Sequence, residues 1–221
     1  MDTLDEVGRE VGAAYLRAGV PHQGMICDTV LIARERLADF LDEDAPLDPE
    51  NLAFDLLDFA KWALEEARLL PGEFSCVAMG SMAAHLYVSA VFDGGHRGYL
   101  ENYGWNPASV AFCKAALNEM GAVDYLDVVR RADVLLRPLS KEIEEAREWG
   151  ASRLALPDGL AALDLAMRAM TDERAHYATH GEWALRAARF HSLGPDELKA
   201  RKNDVVGANP HPARGVYLVG M

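Results

Sequence analysis

The chain of 221 residues lacks the short motifs that mark the common classes of enzyme. No Gly-x-Ser-x-Gly segment is present, which argues against the nucleophile turn of α/β-hydrolases. Gly94-Gly95 is followed by His96 and Arg97 rather than by Gly-Lys-Ser/Thr, so a phosphate-binding loop is not indicated either. The carboxylates are numerous, but no acid/base pair stands out among them. These absences favour a protein that is not an enzyme, without excluding an enzyme.

The chain has few cysteines, and its first residues do not resemble a signal peptide. Cys27, Cys76 and Cys113 are far apart and odd in number, which suits neither a zinc site nor a disulfide framework. The first ten residues carry four acidic side chains and no apolar run, so a signal peptide is not expected. We expect reduced thiols in a cytoplasmic protein.

Positive charge is in short supply. The 35 acidic residues outnumber the 22 basic residues and leave a formal charge of −13. Nucleic acids bind proteins largely through Lys and Arg, which displace the counterions of the phosphates. Direct binding of nucleic acid is therefore disfavoured, and a basic protein is the expected partner. The oligomeric state cannot be read from these counts.

The acidic excess is concentrated in the first third of the chain. Residues 1–70 contain 16 acidic and 6 basic side chains, and no Lys or Arg occurs from Leu37 to Ala60. A helix that starts at Asp48-Pro49-Glu50 would bury Leu52 and Leu56 and leave its carboxylates on the opposite face. The predicted partner-binding surface consists of Asp39, Asp42, Glu43, Asp44, Asp48, Asp55, Asp58, Trp62, Glu65 and Glu66. The alternative for the carboxylates is a merely solvated surface, and for Trp62 it is packing against a neighbouring helix.

Residues 74–92 form a run of nineteen residues without a formal charge. The length matches a membrane span, but glycine, serine and histidine dilute the run and its flanks are acidic. A helix that is apolar on all sides but only weakly hydrophobic fits the centre of a helical bundle. We expect the core helix of a protein that does not enter the membrane.

Helical periodicity extends along most of the chain. Helices are expected at 4–18, 25–41, 49–70, 75–92, 106–120, 122–136, 139–149, 158–180 and 182–191, with short helical turns near 99 and 195. The predicted fold is all-α: a compact bundle of about ten helices in one domain, 1–204, followed by a loop or extended arm, 205–221. Asn106-Pro107 should begin a helix that Gly121 ends.

The best candidate for catalysis is the predicted helix around His176 and His180. These two histidines are one turn apart, and Glu173 adds a carboxylate three residues before His176. Such a set could hold zinc or iron in a metal-dependent or small-molecule enzyme. However, a zincin helix needs a Glu directly after its first His, and Tyr177 stands there. No second ligand helix is evident, so we expect no metal and no cofactor.

The span from Ser81 to Leu136 resembles the DNA-mimic-protein-like family of small, acidic, helical proteins, most of them bacterial. Asp93 stands where that family usually has Asn, His96 replaces an aromatic residue and Gly98 replaces Gln. The resemblance implies a helical fold and, from a characterised type in the family, a surface that imitates DNA and occupies the DNA-binding face of a transcription factor. The residues that carry it are Val91-Phe92-Asp93-Gly94-Gly95, Tyr99-Leu100-Glu101-Asn102, Ala116-Leu117, Met120-Gly121-Ala122, Val128-Val129 and Ala132.

These observations favour a non-enzymatic regulatory protein that binds a basic partner, with a DNA-binding protein implied by the resemblance. The metal-dependent enzyme described above is the alternative. A plain helical scaffold protein is a third possibility, and the sequence does not separate it from the first.

Overall fold

The computed structural model describes residues 2–41, 49–149, 155–170 and 173–211, and this part of the chain is mostly helical. The predicted all-α class is confirmed, with one small two-stranded sheet added to it. A short 3-10 helix, Arg137–Leu139, joins two of the α-helices. The elements in chain order are α1 (Leu4–Arg17), β1 (Val30–Ala33), α2 (Arg34–Leu41), α3 (Pro49–Glu65), α4 (Cys76–Tyr103), α5 (Pro107–Met120), α6 (Val123–Leu136), α7 (Ser140–Trp149), α8 (Gly159–Ala169), α9 (Glu173–Ala187), β2 (Phe190–Leu193) and α10 (Pro195–Ala208).

Helix α4 lies at the centre, as its charge-free sequence predicts. It packs against α3, α5 and α8, and Met79 and Val88 on it are fully buried. Its length and composition would allow it to cross a membrane, but 67% of its most apolar window is buried inside the protein. Burial of this extent is the pattern of a core helix.

Local sequence signals set several of the helix ends. Helix α3 begins at Pro49, as predicted from Asp48-Pro49-Glu50. The side chain of Asn106 accepts hydrogen bonds from the amides of Ala108 and Ser109 at the start of α5. Gly121 closes α5 with a φ of 75°, a left-handed conformation that glycine adopts without a steric penalty.

The predicted helix at 25–41 is wrong in its first half. Residues 30–33 form strand β1, which pairs in parallel with β2, and α2 begins only at Arg34. Val30 is opposite Phe190, and Ala33 is opposite Leu193. The run Val30-Leu31-Ile32 has strong β propensity, but its partner strand is far away in the sequence. Local periodicity carries no information about that pairing.

Three other expectations need correction in the second half of the chain. The predicted helix 158–180 is divided, because α8 ends at Ala169 and Met170 has an extended backbone. Gly181 does not interrupt α9, which continues to Ala187 because packing of this buried residue outweighs its low helix propensity. Helix α10 continues to Ala208, four residues beyond the expected end of the helical region. Residues 212–221 lie outside the described part.

Candidate protein-binding surface

Helix α3 carries the part of the predicted surface that the structure describes. Its apolar stripe packs against α4 and α9, with Leu52, Leu56 and Ala63 at 0% exposure. Because side chains seven residues apart share one face of a helix, this packing leaves Asp58 and Glu65 on the outer face. The helix is therefore held by one face and presents the other to solvent.

Three exposed carboxylates lie on the outer face of α3 and directly after its end. Asp58 and Glu65 on the helix are exposed, and so is Glu66 directly after it. None of the three makes an ion pair with another described residue. Lys61 is exposed between them and is the one basic residue of this helix. The face is acidic, but one positive charge interrupts it.

Asp55 differs from the other carboxylates of α3. It is half-buried, and Nη2 and Nε of Arg36 donate to its two carboxylate oxygens at 3.0 and 3.4 Å. Burial raises the pKa of Asp55, and the hydrogen bonds from Arg36 oppose that rise. The charge of Asp55 is thus largely used inside the protein, where it joins α2 to α3.

Trp62 is buried, with 6% of its surface exposed, and does not present its ring to a partner. Its ring packs 5.7 Å from Phe59, and Nζ of Lys202 on α10 lies 4.9 Å from the ring centroid. The alternative that Trp62 packs against a neighbouring helix is therefore correct. Nothing in the local sequence indicates that α10 returns to cover this position.

The structure places an aromatic residue, Phe54, on the outer face of α3, and sequence reasoning missed it. Phe54 is 41% exposed, and its ring lies 5.3 Å from that of His85 and 6.4 Å from that of Tyr177. It precedes Asp58 by one helical turn. The sequence did contain a signal for an exposed aromatic residue, because Phe54 is two positions from both Leu52 and Leu56 and so lies off the buried stripe of α3.

Five of the predicted surface residues cannot be placed. The side chains of Asp39, Asp42, Glu43, Asp44 and Asp48 lie outside the described side chains. The surface that can be described therefore consists of Phe54, Asp58, Glu65 and Glu66, and we call it the α3 face.

The end of α3 has an unusual backbone. Arg68 has a φ of 57°, and the amide of Leu69 donates to the carbonyl of Ala63 at 2.9 Å across this turn. Nδ2 of Asn209 donates to the carbonyls of Ala67 and Arg68 at 2.8 and 3.1 Å. A left-handed arginine is unfavourable, and the contacts with Asn209 hold it in place.

Of the three candidates for a metal site, His180 is the one whose side chain the structure describes. His180 is fully buried, and its Nε2 lies 2.6 Å from Oγ of Ser81, which is also fully buried. The side chains of Glu173 and His176 are outside the described side chains. Among the described residues, no group of three or more His, Cys, Asp or Glu side chains is arranged to hold a metal ion.

The glycine pair of α4 has an architectural role. Gly95 has φ 66° and ψ −176°, which kinks α4 within the segment Asp93-Gly94-Gly95-His96. A Cβ on Gly95 would lie 2.8 Å from Oδ2 of Asp164 on α8. The backbone amide of His96 donates to Oδ1 of that carboxylate at 2.9 Å, and Tyr87 Oη lies 2.7 Å from Nε2 of His96. The kink therefore lets α8 approach α4 closely.

A family model described as DMP19-like protein matches residues 72–190, which run from just before α4 to the first residue of β2. The chain belongs to the DMP19-like protein family. The match covers more than half of the chain and confirms the resemblance noted over Ser81–Leu136. Searches of curated proteins and of solved structures each gave no significant match.

The family match and the α3 face occupy different parts of this DMP19-like protein. The match includes the kinked helix α4 and its contact with α8, whereas the α3 face ends at Glu66, before the matched region begins. Any function assigned to the α3 face must therefore stand on its own geometry and charge.

Proposed function

We propose that this DMP19-like protein is a non-enzymatic, cytoplasmic binding protein that occupies the DNA-binding face of a basic partner through its α3 face. The observation that carries the proposal is the combination of exposed Phe54, Asp58 and Glu65 on one side of α3 with exposed Glu66 directly after it, and none of the three carboxylates forms an ion pair with a described residue. Membership of the family and the net charge of −13 support the same kind of partner.

The composition of the α3 face resembles that of a binding hot spot in a protein–protein interface. Such hot spots contain an aromatic anchor surrounded by polar groups that exclude water. Phe54 supplies exposed apolar surface, and Asp58 is one turn away from it. Carboxylates without an internal partner can pair with arginine or lysine without first breaking another ion pair.

The density of charge limits what the α3 face can imitate. Asp58 and Glu66 are separated by about 12 Å along the helix axis, at roughly 1.5 Å per residue. Duplex DNA presents about seven phosphates over that length, at one charge per roughly 1.7 Å. Three carboxylates are far fewer, so other acidic parts of the chain must contribute to the contact.

Retention of partners from a bacterial lysate on the immobilised protein tests the proposal. The test variant carries Asp58→Asn, Glu65→Gln and Glu66→Gln. The control variant carries Glu10→Gln, Asp124→Asn and Glu142→Gln, which remove the same charge from exposed sites on α1, α6 and α7. Wild-type and control protein should retain a DNA-binding protein that duplex DNA releases, and the test variant should lose it.

Salt is a second measure in the same experiment. Exposed charges are screened over about 8 Å at physiological ionic strength, so retention should weaken steeply as salt is added. Circular dichroism should show that all three proteins are folded. Equal retention by the test and control variants, or retained proteins that duplex DNA does not release, would rule out the proposal.

A further inference from the structure

Helix α4 has an open groove that the α3 face does not use. The groove has a volume of about 300 Å³ and runs beside the kink, over Gly94 and Gly98. Leu86 and Tyr103 supply apolar wall, and Ser89, Asp93 and Asn102 supply polar groups. It lies inside the family-matched region, whereas the α3 face does not.

The groove exists because two positions of α4 have no side chain. A Cβ on Gly94 would meet no atom within 4 Å, and a Cβ on Gly98 would meet only the carbonyl oxygen of Ala90, at 3.9 Å. Both glycines have ordinary helical backbone, unlike Gly95, so neither is needed for the kink. Glycine in a helix costs stability relative to alanine. The two glycines therefore keep space open rather than support the fold.

The polar groups of the groove favour a cation with several hydrogen-bond donors. The carboxylate of Asp93 is exposed and forms no ion pair with a described residue. Nδ2 of Asn102 donates to the carbonyl of Gly98 at 2.9 Å, which leaves its Oδ1 as an acceptor. No Lys or Arg is among the described residues that line the groove, and neighbouring Arg97 is not one of them.

A second observation lies behind the wall formed by Leu86 and Tyr103. These two residues also line a small cavity of about 10 Å³, together with Ser109 at the start of α5. Ser109 is 93% buried, and its Oγ has no hydrogen-bond partner among the described residues. A cavity of this size holds one water molecule. An unpartnered hydroxyl among the described residues thus lies behind the Leu86 and Tyr103 wall, in a cavity separate from the groove.

We propose that the α4 groove receives the guanidinium group of an arginine from the basic partner. A guanidinium is planar, offers five donors in a fixed arrangement and stacks on aromatic rings. These properties match the Asp93 carboxylate, the Asn102 oxygen and the Tyr103 wall. The assignment of this arginine to the basic partner rests on the proposed function. Binding of a guanidinium group by the groove does not.

A direct titration tests the groove without any partner. The probe is the peptide acetyl-Ala-Arg-Ala-amide, and its matched control has citrulline, a neutral analogue of similar shape, in place of arginine. Amide signals of Gly94 and Gly98 and the side-chain signals of Asn102 should shift in NMR spectra of the full chain with the arginine peptide. The citrulline peptide should bind at least tenfold more weakly.

Two variants separate the groove from general charge effects. Gly94→Leu should fill the groove, and Gly207→Leu is its control, because a Cβ there on α10 also meets no atom within 4 Å. Asp93→Asn removes the charge without changing the shape. The arginine peptide should lose at least tenfold in affinity for the first and third variants and bind Gly207→Leu as it binds wild type.

The two proposals fail separately. Equal binding of the arginine and citrulline peptides, or unchanged binding to Gly94→Leu and Asp93→Asn, would overturn the groove assignment and leave partner retention by the α3 face untouched. Loss of the proposed function in the retention experiment would leave the peptide titration valid. In that case the groove would remain a guanidinium site with a different source of arginine.

Discussion

Nδ1 of His96 lies 2.5 Å from Oδ1 of Asp164, and this contact joins α8 to the kink of α4. The ring is fully buried, and Tyr87 Oη contacts its other nitrogen. Burial lowers the pKa of His96, and the interaction with Asp164 opposes that shift without cancelling it. The neutral ring is therefore the form that the folded protein favours.

The lowered pKa of His96 predicts a loss of stability in mild acid. An unfolded histidine has a pKa of about 6.5, so below that pH the unfolded chain binds a proton that the folded chain resists. The free energy of unfolding should fall as the pH drops from about 7.5 through this range. Urea denaturation at a series of pH values measures it.

His96→Asn is the variant that tests this origin. It keeps a side-chain donor but cannot titrate, so its unfolding free energy should be lower at neutral pH and should change less with acid. His191→Asn on β2, where the ring is exposed, is the control and should follow wild type. A pH dependence unchanged in His96→Asn would contradict the assignment.

Substitution by alanine should have opposite effects on the free energy of unfolding at Gly94 and at Gly95. Gly94→Ala should stabilise the protein by about 0.5–1 kcal/mol, because its backbone is helical and the added methyl group meets no atom. Gly95→Ala should cost roughly 1–3 kcal/mol from backbone strain alone. The contact with Asp164 adds to that cost. Thermal and urea unfolding of both variants measures the difference, and effects of the same sign would contradict the kink geometry.

Arg68→Gly should increase the free energy of unfolding by about 1 kcal/mol. The left-handed backbone costs a non-glycine residue roughly 1–2 kcal/mol, and the greater freedom of glycine in the unfolded chain returns part of that gain. Arg68→Ala is the matched control, since it removes the side chain but keeps the strain. If both variants changed stability equally, the charge rather than the backbone would be responsible.

Glu65 and Glu66 should lower the free energy of unfolding, although they contribute to partner binding by the α3 face. They lie at the C-terminal end of α3, where the helix dipole is negative, and the last turn has no basic residue. Glu65→Gln and Glu66→Gln should each stabilise the protein by about 0.3–1 kcal/mol and should weaken partner retention. Asp124→Asn, in the first turn of α6, should instead destabilise it. Chemical denaturation of the three variants provides the comparison.

Phe54→Ala should weaken partner binding by roughly 30-fold or more, as expected for an aromatic anchor that contributes about 2 kcal/mol. Leu165→Ala on α8, where the side chain is 67% exposed, is the control and should bind as wild type does. Circular dichroism should show both variants folded. Equal binding of wild type and Phe54→Ala would exclude Phe54 from the interface.

The parts of the fold that short-range signals determine were predictable. The start of α3 at Pro49, the Asn106 cap and the Gly121 end of α5 all depend on a few neighbouring residues. The sheet was not predictable, because Val30 finds its partner at Phe190. Helix α4 was also placed correctly at the centre but given too short a length, since its kink at Gly95 was taken as an end.

The α3 face was predictable in its charge but not in its detail. The sequence indicates which carboxylates lie off the apolar stripe of α3, and Asp58 and Glu65 are indeed exposed. It does not show that Arg36 pairs with Asp55 or that Lys202 covers Trp62, because both contacts come from other helices. Tertiary contacts of this kind decide which members of an acidic segment remain available to a partner.

The parallel pairing of β1 with β2 has a consequence for synthesis of the protein. The first strand leaves the ribosome long before residues 190–193, with which it pairs. The contacts of Asn209 with the end of α3 likewise cannot form until Asn209 has been synthesised. Cys76–Tyr103 and its neighbouring helices can assemble while translation continues. The two flanks of the chain can close on each other only after Asn209 has been synthesised.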